Sequence, residues 1–108
     1  MNDPLARHRK LVEQFPDNEL ARFSLGKALF DQNQFTEAKG HFELAASRKP
    51  EWMMAHILLG KCELALSNRS AARVAFEHAR RLAIEQNHEG PLTEMNQALA
   101  ELAQTPAE

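Results

Sequence analysis

Leu25-Gly26-Lys27 returns 34 residues later as Leu59-Gly60-Lys61, and the copy extends outward from the glycine: Ala38 is matched by Ala72, Phe42 by Phe76 and Ala45 by Ala79. A period of this length marks stacked copies of one structural unit. Such a unit is too short to bury its own apolar face, so neighbouring copies pack on one another and form an extended surface rather than a closed globule. A surface of that kind is suited to holding another chain.

Residue usage around the repeat favours helix. Tyr is absent, β-branched residues are few, and Ala, Leu, Glu, Gln, Arg and Lys dominate. Asp3-Pro4 reads as an N-cap followed by a first-turn proline, and Phe15-Pro16-Asp17-Asn18 ends that helix and caps the next. Lys49-Pro50 closes a later helix, Asn68 is placed to cap another, and Gly90-Pro91 opens the last. The expected elements are six helices over about 4–15, 19–32, 35–48, 52–66, 69–86 and 91–103, with no strand. Turns this short force antiparallel neighbours. The segment from Gln104 to Glu108 is expected to fray.

With 108 residues the chain makes about one small domain. A net charge of −2 and a pI near 6.2 give no general attraction for nucleic acid or an anionic membrane. Cys62 is the only cysteine, so no internal disulfide forms, which fits a reducing compartment. No apolar run approaches bilayer length, and Met1 to Lys10 lacks the apolar stretch of a secretory signal. The expected location is the cytoplasm.

The pattern Leu-Gly, then Ala, Phe four residues later and Ala three further on, with Pro50 closing the first copy, resembles the tetratricopeptide repeat. Pro16 stands 34 residues before Pro50, so the first helix resembles the second half of a preceding unit. The resemblance implies an all-α array of antiparallel helix-turn-helix repeats in a short right-handed superhelix. It divides the single domain 1–108 into an N-terminal half-unit helix (1–18), repeat 1 (19–52), repeat 2 (53–86) and a C-terminal capping helix with its tail (87–108). This sequence departs from the family pattern at Arg22 and His56, where Trp is common, at Leu29 and Glu63, where Tyr is common, and at Ile84, which replaces the second proline.

A glycine inside a helix costs about 0.5–1 kcal/mol relative to alanine, so two at one phase imply a compensating close approach. Gly26 and Gly60, with the matched alanines, are expected to bring paired helices together while Phe42 and Phe76 fill the space beside them. A second stripe bears on function. Ala21, Leu25, Ala28 and Leu29 share one helix face, whereas Leu20, Phe23, Lys27 and Phe30 lie almost opposite; Met54, Ile57, Lys61 and Leu64 repeat this in the second copy. By the resemblance these phases line the concave side where peptides dock, which makes Leu20, Phe23, Ser24, Lys27, Phe30, Met54, Ile57, Leu58, Lys61 and Leu64 the candidate partner-binding surface. Burial under the terminal helices and self-association as a homodimer are the competing fates of the stripe. Lys27 and Lys61 either meet carboxylates or carbonyls of a bound segment or snorkel to water. The clamp that grips acidic C-termini in some family members is not matched, because Phe23, Lys27 and Leu58 occupy its positions.

Other chemistry is weakly signalled. His8, His41, His56, His78 and His88 show no zinc-ligand spacing, and Cys62 sits at a small-residue phase that suits an inert packed thiol. No phosphate loop, nucleophile elbow or carboxylate pair marks an enzyme or a cofactor site. Arg69, Arg73 and Arg80 share one face and raise RNA binding as a minor alternative. Trp52 is expected over the seam between copies, with Met53 and Met54 beside it. Leu5, Val12 and Phe15 in the first helix, and Leu92, Met95, Leu99 and Leu102 in the last, are expected to cover the ends of the array. The functional expectation is a non-catalytic protein-interaction module, an adaptor or assembly factor.

Overall fold

The short turns and helix-favouring composition produce six helices and no strand among the residues that the computed structural model describes, 3–104. They are α1 (Ala6–Gln14), α2 (Glu19–Asp31), α3 (Phe35–Arg48), α4 (Met53–Ala65), α5 (Arg69–Glu85) and α6 (Glu89–Gln104). Each helix packs on the next, and α2 also touches α4. The Cα radius of gyration is 14.3 Å over 43 × 30 × 21 Å, against about 13 Å for a rounded domain of this length. Residues 105–108, within the stretch expected to fray, lie outside the described residues. No described helix is long and apolar enough to cross a membrane.

Helix ends follow local chemistry. Asn18 Oδ1 accepts from the Ala21 N–H at 2.8 Å and caps α2, whereas Asp3 Oδ1 accepts from the Leu5 N–H at 2.9 Å in the turn before α1, whose N-cap position is Leu5 and carries no side-chain cap. Asn68 differs from expectation: its amide donates to Glu63 Oε1 at 2.9 Å and caps no backbone N–H of α5. The reason lies one residue earlier. Asn33, Ser67 and Asn87 adopt left-handed φ values of 61°, 64° and 58°. The N–H groups of Gln34, Asn68 and His88 then reach back to the carbonyls of Leu29, Glu63 and Ala83 at 2.9, 2.8 and 2.9 Å, satisfying orphan carbonyls of the preceding helix. The turns that lead from one helix pair to the next use another device twice. Arg22 Nε donates to the Pro16 carbonyl and His56 Nε2 to the Pro50 carbonyl, each at 2.9 Å.

The missing second proline has a structural consequence. With Ile84 in its place, α5 runs 17 residues where α3 runs 14. The last helix accordingly begins at Glu89, two residues before the expected start, and holds Pro91 in its first turn, where a missing N–H leaves no hydrogen bond unmade.

Both glycines are contact points. A Cβ on Gly26 would lie 2.9 Å from the Phe42 ring, and one on Gly60 only 2.5 Å from the Phe76 ring. Both rings are buried, so neither can swing away. Around Phe42 gather Leu5, Leu25, Leu29, Ala38, Leu58 and Cys62; around Phe76 gather Met53, Ile57, Ala72, Ala79, Met95 and Leu102. The first cluster joins α1 through α4 and the second joins α4 through α6, which makes α4 common to both.

Gly60→Ala should therefore lower stability by about 1–3 kcal/mol through overpacking, and Gly26→Ala by less. Gly40 faces open space on the exposed side of α3, so Gly40→Ala should raise stability by about 0.5–1 kcal/mol. Urea unfolding of the three variants checks that order. Burial, the largest influence, holds the imidazoles of His41 and His56 below the ordinary value of 6.5. The unfolded chain thus binds protons more readily at these sites, and their contribution is complete above about pH 6.5 and lost as pH falls below it. The melting midpoint should drop over that range, and a His41→Gln, His56→Gln double variant should flatten the drop.

Candidate functional site

The face of α2 and α4 turned away from Phe42 and Phe76 carries the second apolar stripe. Leu20 is 62% exposed, Met54 40% and Leu64 42%, large apolar side chains open to solvent at repeated phases. Phe23 and Phe30 are half-buried beside them, and so is Ser24. The Phe23 ring stacks on Trp52 at 4.3 Å between centroids and meets Phe42 edge-on at 5.6 Å. Phe30 meets Phe35 edge-on at 5.5 Å. Trp52 thus bridges the two helix pairs, with Lys49 Nζ 5.7 Å from its ring centre.

Two expected surface positions are interior. Ile57 is 1% and Leu58 3% exposed, so neither is available to a partner. Ile57 packs in the cluster that contains Phe76 of α5 and Met95 and Leu102 of α6. Leu58 points across the seam into the Phe42 cluster. The remaining open wall runs from Leu20 and Met54 at one end to Phe30 and Leu64 at the other.

The two ammonium groups each meet a carboxylate. Lys27 Nζ lies 3.1 Å from Asp31 Oδ1 one turn along α2, whereas Lys61 Nζ lies 3.0 Å from Glu94 Oε2 on α6. The second pair draws α6 alongside α4 and adds a third side to the wall. From Glu94 the same face of α6 continues through Gln97, which donates to Glu101 Oε1 at 3.2 Å. The sequence left cover by a terminal helix open for this surface but did not show the pairing of Lys61 with Glu94. The signal was present in the Glu94, Gln97, Glu101 spacing, but its register against Lys61 depends on how far α5 extends.

The other candidates are placed by their contacts. Arg69 Nη2 donates to the Leu102 carbonyl at 3.2 Å and Arg80 Nε to Asn96 Oδ1 at 2.6 Å, so both help seat α6, while Arg73 is exposed. Cys62 is fully buried, and that burial pushes its thiol up to about 11. Among the described residues no three His, Cys, Asp or Glu side chains converge as a metal site would require. On the opposite face, His56, Leu59, Glu63, Ala71, Val74, Ala75 and His78 line a shallow apolar depression of about 390 Å³ between α4 and α5. The His56 and His78 rings stack there at 5.3 Å. Glu63 at its edge is buried against Lys39 Nζ at 3.2 Å and the Asn68 amide.

The chain superposes on solved structures that share this arrangement. The TPR2B domain of yeast Sti1, solved as a pHsp70 complex, aligns with a TM-score of 0.82 at 19% identity over 93% of this chain and 80% of that one. The first TPR of Spaghetti (RPAP3), bound to the HSP90 peptide SRMEEVD, aligns with a TM-score of 0.79 at 21% identity over 93% and 75%. Protein BPP2914 from Bordetella parapertussis, solved in solution, aligns with a TM-score of 0.81 at 30% identity over 96% and 90%. No curated protein sequence matches the chain. Residues 5–51 and 23–87 each match the family described as Tetratricopeptide repeat. Sequence and architecture agree: the chain belongs to the tetratricopeptide repeat family.

Proposed function

We propose that this protein is a non-catalytic adaptor or assembly factor that holds a segment of a partner protein on the wall formed by α2, α4 and α6. The observation that carries the reading is the solvent exposure of Leu20, Met54 and Leu64 at repeated helix phases, beside the half-buried Phe23 and Phe30. Burying such side chains against a partner gains about 25 cal/mol per Å² of apolar surface, and leaving them in water forgoes it. The similar domain solved with the HSP90 peptide SRMEEVD supports a peptide segment as the occupant. We read 19–52 and 53–86 as the two full repeats, 1–18 as a half-unit and 87–108 as the cap. The lone buried thiol suits a cytoplasmic setting.

A Leu20→Asp, Met54→Asp double variant tests the wall, with Val74→Asp on the opposite face as control. All three positions are exposed, so thermal melts should stay close to wild type. Proteins retained from native lysate by the wild type and by the control should be lost by the double variant. Equal retention by all three would exclude the wall as the site. Light scattering over a concentration series addresses self-association on the same surface, for which a dimer broken by the double variant would be the signature.

A further inference from the structure

We infer that the seam between the two repeats is a pH-sensitive joint, in which neutral His56 ties the turn at 49–52 to α4 and protonation of its ring frees that turn together with Trp52. Two side chains hold carbonyls of this turn. His56 Nε2 donates to the Pro50 oxygen at 2.9 Å from within the first turns of α4, and Gln86 Nε2 donates to the Glu51 oxygen at 2.9 Å from the end of α5. The corresponding link at the preceding seam runs from Arg22 to Pro16, each 34 residues earlier. A guanidinium keeps its proton at every working pH, whereas an imidazole changes charge between about pH 5 and 8. The same mechanical part is therefore fixed at one joint and titratable at the next.

The surroundings of His56 favour the neutral ring. A carbonyl oxygen only accepts, so Nε2 carries the hydrogen and a second proton must go to Nδ1, for which no acceptor is present among the described residues. The ring is 9% exposed and forms part of the apolar depression between α4 and α5. From α5, His78 stacks on it at 5.3 Å and Arg81 adds positive charge, with Arg81 Nη2 3.5 Å from His78 Nδ1 and Arg81 Nε 3.9 Å from Glu85 Oε2. Glu63, two turns farther along α4, is engaged by Lys39 and the Asn68 amide. An imidazolium at position 56 is thus buried beside cations with no carboxylate to meet it, and it gains by turning out to water, which breaks the Pro50 bond. Trp52, two residues beyond Pro50, is the N-cap residue of α4 and stacks on Phe23 of α2, so a freed turn also loosens the contact between the helix pairs. The joint stands without the docking wall; only its effect on partner binding, through Phe23, rests on the proposed function.

Trp52 is the only tryptophan, so its fluorescence reports on this turn. The test is acrylamide quenching of the full chain across pH, with circular dichroism at each point, for wild type, His56→Gln, His78→Gln and His41→Gln. The wild-type quenching constant should rise roughly twofold between about pH 8 and about pH 5 while the helical signal holds. His56→Gln should abolish the rise. His78→Gln removes a neighbouring positive charge and should move the midpoint to higher pH, and His41→Gln, beside Arg22 at the preceding joint, should leave it unchanged. A flat wild-type profile, a rise that survives in folded His56→Gln, or a rise that tracks loss of helix would overturn the inference. Should His56→Gln prove unfolded, the His78→Gln midpoint decides, since no shift or a shift to lower pH contradicts the joint. No ligand enters the measurement, so the docking wall stands or falls separately.

Discussion

The contact between a helical glycine and a buried phenylalanine ring, made once at Gly26 against Phe42 and again at Gly60 against Phe76, sets the geometry of the molecule. Each lets two helices approach at a distance that a single methyl group would prevent. Because that approach fixes which way α2 and α4 are rotated, it also decides which side chains turn outward. Leu20, Met54 and Leu64 are exposed as a consequence of what lies on the other side of the same helices. The functional surface is in this sense the reverse face of the packing contact.

Helix α4 bears the heaviest load, since the Phe42 and Phe76 clusters and a third of Ala45, Ala46 and Ala55 all include it. Its stripe positions divide between them: Ile57 is taken by the cluster under α6 and Leu58 by the cluster under α2 and α3. Met54 and Leu64, at the ends of the α4 stripe, stay in solvent. One helix therefore serves as core, seam and surface along its length.

The parts of the fold that depend on local residue chemistry were legible in the sequence. The glycine and phenylalanine phases, the proline stops at Pro16 and Pro50 and the Asn18 cap all act within a few residues of themselves. Less legible was Ser67, because a serine in a left-handed turn does not announce itself as glycine does; once it is there, Asn68 is pulled back toward Glu63 and leaves the cap. The candidate surface was legible only as a periodicity. Two stripes on one helix do not reveal which terminal helix leans over them, so the burial of Ile57 and the pairing of Lys61 with Glu94 both required the register of α6. That register follows from the loss of a proline at Ile84 and the longer α5 that results.

Adjacent methionines offer the most direct examination of the claimed rotation of α4. Met53 is buried at the base of the Phe76 cluster, Met95 is fully enclosed, and Met54 stands on the open wall. Peroxide oxidation followed by peptide mass spectrometry should convert Met54 to the sulfoxide well before Met53 and Met95. Oxidation of Met53 ahead of Met54, or protection of Met54 equal to that of Met95 in dilute protein, would contradict the orientation from which the docking wall is built.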